Sequence, residues 1–208
     1  MIKIINGKSL KSKHNYYLEC ARIHSKEIPD GFLPTLGFSF LSNLYEVFSK
    51  SKYSFLLLAI EESRVVGFIA ISLNTKLFFK QYLFTQSYKN FYRIPISIFG
   101  KVFIKKTLEV LKYPFKSDKK ENYFVSNSEI FNFCVDDSMQ GLGVGQLLFS
   151  YAVNQLKVSN VKVLKIVTGQ NQIGAQRFYY KNGATSSHKI IVHKGEDSMV
   201  FKYNVNGV

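Results

Sequence analysis

Cysteine is scarce in this sequence, with Cys20 and Cys134 far apart among 208 residues. No second pair offers metal-ligand spacing, which excludes a cysteine-built metal centre and fits a reduced, cytoplasmic protein. Long apolar runs are missing as well. The longest, FLLLAI from Phe55 to Ile60, falls far short of the roughly 20 residues that a membrane-spanning helix needs. The opening stretch MIKIINGKSLKSKHNYY sets charge on both sides of a very short apolar piece and so lacks the apolar core of a secretory signal. A chain that is soluble or lies on a surface is expected. Acidic residues are also few, 14 against 28 Lys and Arg, for a net charge of +14.

What is present is a core-forming composition. At 46% hydrophobic, the chain is long enough to close one core, as a single domain over 1–208 that carries an insertion. The excess charge is concentrated. Between residues 75 and 120 stand eleven Lys or Arg and only Glu109 and Asp118. Aromatic residues interleave with them, among them Phe78, Phe79, Tyr82, Phe91, Tyr92 and Phe103. Such a segment, taken here as a basic, partly helical insertion over 75–125, suits a polyanion or an anionic membrane surface. Within it FGKVFIKKTLEVLK (99–112) sets Val102, Phe103, Leu108 and Leu111 near one face and Lys101, Lys105 and Lys112 near another.

Periodicity orders the rest of the chain. Residues 9–26 predict a helix, PDGFLPTLG (29–37) a loop, and FSFLSNLYEVFSK a helix with Phe40, Leu41, Leu44, Val47 and Phe48 at helical spacing. YSFLLLAIEE and RVVGFIAISL read as an antiparallel strand pair across a charged turn. SEIFNFCVDD reads as a strand, VGQLLFSYAVNQLK as a helix, VKVLKIVTG as a strand and QIGAQRFYYKNG as a short helix; KIIVHK and SMVFKYNV close the chain as strands. Alternating strands and helices with a terminal hairpin predict an α/β protein with a mixed sheet covered on both faces.

CVDDSMQGLGVGQLLFSYAV (134–153) sets Gly141, Gly143 and Gly145 at alternate positions where a strand turns into a helix. A helix start offers unpaired N–H groups and the positive end of the helix dipole, and glycines remove the side chains that would keep an anion away. The turn therefore reads either as a phosphate or pyrophosphate cradle or as a tight turn without a ligand. Gln146 stands where the dinucleotide fingerprint needs glycine, and the Gly-Lys-Ser/Thr ending of a P-loop is absent.

QGLGVG (140–145) resembles the Gln/Arg-x-x-Gly-x-Gly/Ala signature of the GNAT superfamily of N-acetyltransferases, and GAQRFYYKNGA (174–184) resembles that superfamily's next helix, in the same order. The amino-terminal IPDGFLPTLGFSFLSNLY is similar to bacterial members associated with cell-surface sugar pathways. The resemblance implies a GNAT fold, with a mixed, mostly antiparallel central sheet flanked by helices on both faces. It also implies acetyl-CoA as co-substrate, with no metal. For acetyl-CoA it implies contacts by Phe133, Cys134, Val135, Gln140, Gly141, Leu142, Gly143, Val144, Gly145, Gln146, Phe178 and Lys181. Where the family has Asn three residues before the helix Ala this chain has Gln172, preceded by Asn171, so either amide is a candidate; Ala184 replaces the usual Phe after the last glycine.

Acyl transfer from a thioester to an amine needs a base for the ammonium, a donor for the oxyanion and an acid for the sulfur. The family register selects Tyr179 as the acid. A phenol with a pKa near 10 keeps its proton at neutral pH and can donate to a thiolate whose conjugate acid is near 8.5. Tyr180 lies about 100° round the helix. Glu129 is the base by resemblance, through a raised pKa or a relaying water. The backbone N–H near Val135 is the expected oxyanion donor. His24, His188 and His193 read as surface or packing histidines, Cys134 as a small buried strand residue, and Asp136 and Asp137 as turn-shaping. The expected function is transfer of acetyl from acetyl-CoA to a primary amine of a small molecule, such as a nucleotide-linked amino sugar. The competing readings are a protein or peptide amine acetyltransferase, and a non-catalytic membrane- or nucleic-acid-binding module on the same fold. Nucleic acid is the weaker partner; the oligomeric state stays open between monomer and homodimer. Cytoplasmic location is expected from the cysteines, and peripheral contact with the inner membrane face is a reading of the basic segment.

Overall fold

The computed structural model describes residues 1–10, 14–31, 33–86, 126–193 and 196–207. Their elements in chain order are β1 (Lys3–Asn6), α1 (His14–Glu27), α2 (Phe38–Lys50), β2 (Ser54–Glu61), β3 (Arg64–Ser72) and α3 (Thr75–Gln86), then β4 (Glu129–Val135), α4 (Val144–Val158), β5 (Val163–Gly169), α5 (Ile173–Lys181), β6 (Thr185–His193) and β7 (Glu196–Asn204). The apolar, β-branched runs of β2 and β3 pair antiparallel, and their turn places Glu62 and Ser63 at φ 47° and 70°. Two consecutive left-handed residues match the turn to the natural twist of a hairpin.

One seven-stranded sheet results, in the order β1-β2-β3-β4-β5-β7-β6. Every neighbouring pair is antiparallel except β4 and β5. Each face of the sheet has its own core. On one face α1, α2 and α3 bury Tyr17, Leu41, Leu44, Tyr45, Phe48 and Phe78 against Phe68 and Ala70. On the other, α4 and α5 bury Leu148, Phe149 and Tyr179 against Leu164, Ile166 and Phe201. A fully buried Leu or Phe side chain contributes about 1.5–3 kcal/mol. The face of α2 read from periodicity is the buried one: Leu41, Leu44 and Phe48 are closed to solvent, with Phe40 and Val47 packed at the edge.

Three elements differ from the sequence reading. β1 was not expected; four residues are too few to show alternation, and pairing with β2 from Lys3↔Ile60 to Asn6↔Leu57 creates the strand. The helix expected over 9–26 is instead a 3₁₀ turn at Gly7–Ser9, capped by Asn6 through the Lys8 N–H, followed by α1. Lastly, the start of the basic segment is part of the core. In α3, Phe78, Phe79 and Tyr82 are buried, and Phe78 and Phe79 meet Phe48 and Phe131. The amphipathic stretch 99–112 lies outside the described residues. Among the described residues no helix is long and apolar enough to cross a membrane.

Candidate functional site

The site grows from a defect in β4. Ala70 pairs with Asn132 but Ile71 pairs with Ile130, so Phe131 is an extra residue in the ladder. This bulge sets Phe131 and Asn132 on the same face of the sheet, toward α1 and α2, and bends the strand. Beyond it Phe133 and Val135 face α4 and α5. β4 and β5 pair in register only at Glu129↔Lys165, supported by the Lys165 N–H donating to Ser128 O at 2.9 Å. Past that point the strands part. The Asp136 N–H donates to Val66 O at 2.9 Å, and alternation along an antiparallel ladder then assigns the backbone of Cys134 and Asn132 to β3. Phe133 and Val135 consequently turn their N–H and C=O groups into the opening between β4 and β5.

The glycine turn stands at the mouth of this opening. Gly141 and Gly143 have φ of +76° and +84°, and a Cβ on either would meet nothing within 4 Å. Gly143 caps α4 with no side-chain hydrogen bond, so the first N–H groups of the helix face outward. Leu142 and Gln146 are exposed beside it and Val144 is buried beneath it. Gly145 belongs to the first helical turn, where a Cβ would lie in ordinary contact with Phe133 at 3.7 Å and Phe178 at 3.8 Å. The turn is held by α1. Glu27 accepts from the Asp137 N–H at 3.0 Å and from Gln140 Nε2 at 2.9 Å, and Gln140 Nε2 also donates to Val135 O at 3.0 Å. Lys26 pairs with Asp137 and, at 3.6 Å, with Asp136. Asp136 caps the short turn Asp137–Met139 through the Ser138 N–H, the shaping role read for it.

Helix α5 closes the far side. Phe178 stands edge-on to Phe133 and Phe149. Tyr179 is buried against Phe149 and Phe201, whereas Tyr180 is 49% exposed. Burial holds the Tyr179 phenol well above its ordinary range, with Cys134 near enough to add to the effect. Among the described residues no group hydrogen-bonds its hydroxyl. The two candidate amides take different places: Gln172 turns back to accept from the Gly169 N–H at 3.2 Å, while Asn171 is exposed on the turn before the helix. Lys181 is exposed at the end of α5.

Glu129 lies where β4 and β5 are still joined, 3.7 Å from Lys165 and 12% exposed. Six residues of strand, roughly 20 Å, separate it from Val135. The carboxylate therefore sits at the joined end of the two strands and not beside Val135. Cys134 is buried, its thiol pushed up by desolvation, and donates to Asn132 Oδ1 at 3.1 Å.

Several residues of this region escaped sequence reasoning. His24 takes the packing role, one of the two read for it, but with polar partners that the sequence did not show: it is 2% exposed, Tyr45 hydrogen-bonds its Nδ1 at 2.5 Å, and Asn132 Nδ2 lies 3.0 and 3.1 Å from its two ring nitrogens. Glu27, Gln176 and Asn182 were also missed. Gln176 donates to Gly169 O and Gln170 O, and Asn182 accepts from Gln146 Nε2 at 2.8 Å. No periodic pattern marks them: Glu27 and Asn182 act across elements distant in sequence, and Gln176 closes the turn before its own helix. His188 is half-buried beside Ser187; the side chain of His193 lies outside the described residues.

Residues 110–184, the stretch that includes β4, α4, β5 and α5, match the family model for the acetyltransferase (GNAT) family. No curated protein matches the chain. Among solved structures, an N-acetyltransferase from Staphylococcus aureus Mu50 is similar over 99% of both chains at 11% identity, with a TM-score of 0.62. A GNAT-family acetyltransferase from the same organism is similar over 99% of this chain and 100% of its own, at 17% identity and a TM-score of 0.56. A third, from Bacillus cereus ATCC 10987, has 12% identity and a TM-score of 0.55, with 98% and 97% covered. The fold is that of the GNAT acetyltransferases.

Proposed function

We propose that this GNAT-fold chain is an acetyl-CoA-dependent N-acetyltransferase acting on a primary amine of a small molecule. The observation that carries the reading is the coincidence of two openings. An uncapped, glycine-lined helix start lies at the mouth of a gap into which Phe133 and Val135 turn backbone groups that the β3 ladder does not engage. The residues fit the group: Gly141 and Gly143 leave open the space that a Cβ would fill, and the N–H groups at the start of α4 suit a pyrophosphate. Gln140, Leu142, Val144, Gly145 and Gln146 would shape that cradle; Phe178 of α5 stands beside Phe133, and Asn171, Gln172 and Lys181 are assigned to acetyl-CoA by the resemblance.

When bound, acetyl-CoA supplies the activated acetyl group. The N–H of Val135 or Phe133 donates to the developing oxyanion, and such preorganised donors account for much of the rate in acyl transfer. Tyr179, held protonated by burial, donates to the departing thiolate. Glu129, the base by resemblance, would take up the ammonium proton only through a chain of waters along the opening. The resemblance of residues 28–45 to members of sugar pathways supports a nucleotide-linked amino sugar as acceptor, and the basic segment 75–125 would attract its phosphates or an anionic inner-membrane face.

Thiol release from acetyl-CoA tests the reading, with amino sugars, nucleotide-linked amino sugars and peptide amino termini offered in parallel. Release stimulated by the sugars supports it. Release stimulated only by peptides transfers the activity to a protein amine, and calorimetry that detects no acetyl-CoA binding overturns it.

A further inference from the structure

Asn132 is a buried carboxamide in the middle of a sheet strand, directly after the extra residue of the β4 bulge. Its nitrogen donates to the Tyr45 hydroxyl at 3.1 Å and lies beside both nitrogens of His24, while its oxygen accepts from Cys134. One polar cluster thus joins α1, α2 and β4 inside an otherwise apolar core. Buried polar groups are tolerated only when hydrogen-bonded, and a bulge is where a ladder holds its register least. Asn132 and Cys134 also flank Phe133, whose own backbone groups face the opening.

We propose that His24 is a positioning residue for acyl transfer: with Tyr45 it clamps Asn132, and so fixes the peptide groups of Phe133 and Val135 at the reacting end of the gap. The inference rests on the acetyltransferase reading above. The clamp needs an uncharged ring. Tyr45, a phenol kept protonated by burial, accepts from Asn132 Nδ2 and donates to the lone pair of Nδ1, so His24 holds Asn132 through the Tyr45 hydroxyl. An imidazolium would set its own N–H groups against these donors. The clamp acts on kcat rather than on acetyl-CoA affinity, because the cradle that would hold the pyrophosphate has side-chain bonds of its own, from Glu27 to Gln140 and the Asp137 N–H and from Lys26 to Asp137.

The test compares His24→Ala, His24→Asn, Asn132→Ala and Tyr45→Phe with the wild type. Circular dichroism checks folding, and calorimetry measures acetyl-CoA affinity. Turnover is measured with the amine that the wild type uses fastest, and amide hydrogen exchange is followed along β4. In His24→Ala and Asn132→Ala, kcat should drop by about 10²-fold, the scale of a small misplacement of reacting groups. Affinity for acetyl-CoA should stay within about 3-fold, about half of the 1.4 kcal/mol that a tenfold change represents. Exchange at Asn132 and Cys134 should rise while β2 is unaffected. His24→Asn keeps an acceptor near the Nδ1 position and should recover most of the rate; Tyr45→Phe should lower kcat alone and serves if His24→Ala does not fold. Unchanged kcat, losses that track acetyl-CoA affinity, or His24→Asn no better than His24→Ala would overturn the clamp. A wild type without acetyl-CoA binding or turnover removes the enzyme reading instead, and unaltered exchange in β4 then overturns the clamp independently.

Discussion

At the scale of single residues, Tyr179 and Tyr180 are neighbours with opposite environments. One is buried with a hydroxyl that no described group engages; the other is half exposed against Phe201. Tyr179→Phe should leave acetyl-CoA affinity intact and lower turnover by roughly 10²–10⁴-fold, the range for a lost proton-transfer group. Tyr180→Phe should change little, and steady-state kinetics with calorimetry on both would reveal a reversed ranking. His24 makes a second residue-scale prediction. Burial lowers its pKa from 6.5 to about 4, so the unfolded chain binds the proton more readily than the folded one. The stabilisation is full above pH 6.5 and is lost as pH falls toward 4, which amounts to about 3 kcal/mol. Urea unfolding between pH 7 and 4 should show this slope, and His24→Asn should flatten it relative to the wild type.

At the scale of elements, the glycines of the turn are not equivalent. Gly143 holds φ +84°, so any side chain there strains the backbone whether or not a ligand binds. Gly145 is helical, with room for a Cβ beside Phe133 and Phe178. Gly145→Ala should therefore stabilise the fold by about 0.5–1 kcal/mol, the helical difference between Ala and Gly, while narrowing the space proposed for acetyl-CoA. Gly143→Ala should destabilise it. Denaturant melts and acetyl-CoA calorimetry on the pair separate the two effects, and unchanged affinity in Gly145→Ala would count against the cradle. The helix α4, its glycine turn and α5 were all legible in the sequence, because each is written in contiguous periodicity and spacing. β1 and the β4 bulge were not: four residues carry no pattern, and a bulge is defined by the partner strand.

At the scale of the whole molecule, charge and core are partly separable. The net charge of +14 is concentrated in a segment whose first helix, α3, buries Phe78, Phe79 and Tyr82. Removing this packing should be costly, and Phe78→Ala is expected to destabilise by about 3–5 kcal/mol, as large aromatic truncations in cores do. Charge is expected to act on association instead. Each basic residue near an anionic surface adds about 1 kcal/mol, so the protein should sediment with anionic vesicles at low salt and not with neutral ones. Reversing Lys101, Lys105 and Lys106 should abolish this. If neither vesicle binding nor the KM of a phosphate-bearing acceptor responds, the charge serves solubility.

By itself the sequence determined most of the elements and the glycine turn, since these depend on residues near one another along the chain; the register that selects Tyr179 came from the resemblance of GAQRFYYKNGA to the family's helix. The tertiary structure alone decided that β4 bulges at Phe131 and parts from β5 beyond Glu129, and that Glu27 of α1 holds Gln140. It alone also brought His24, Tyr45 and Asn132 together from α1, α2 and β4. Those features arise from packing α1 and α2 against β4 and its neighbouring strands, and a hydrogen bond spanning 87 residues, such as that of Asn132 to Tyr45, leaves no local trace.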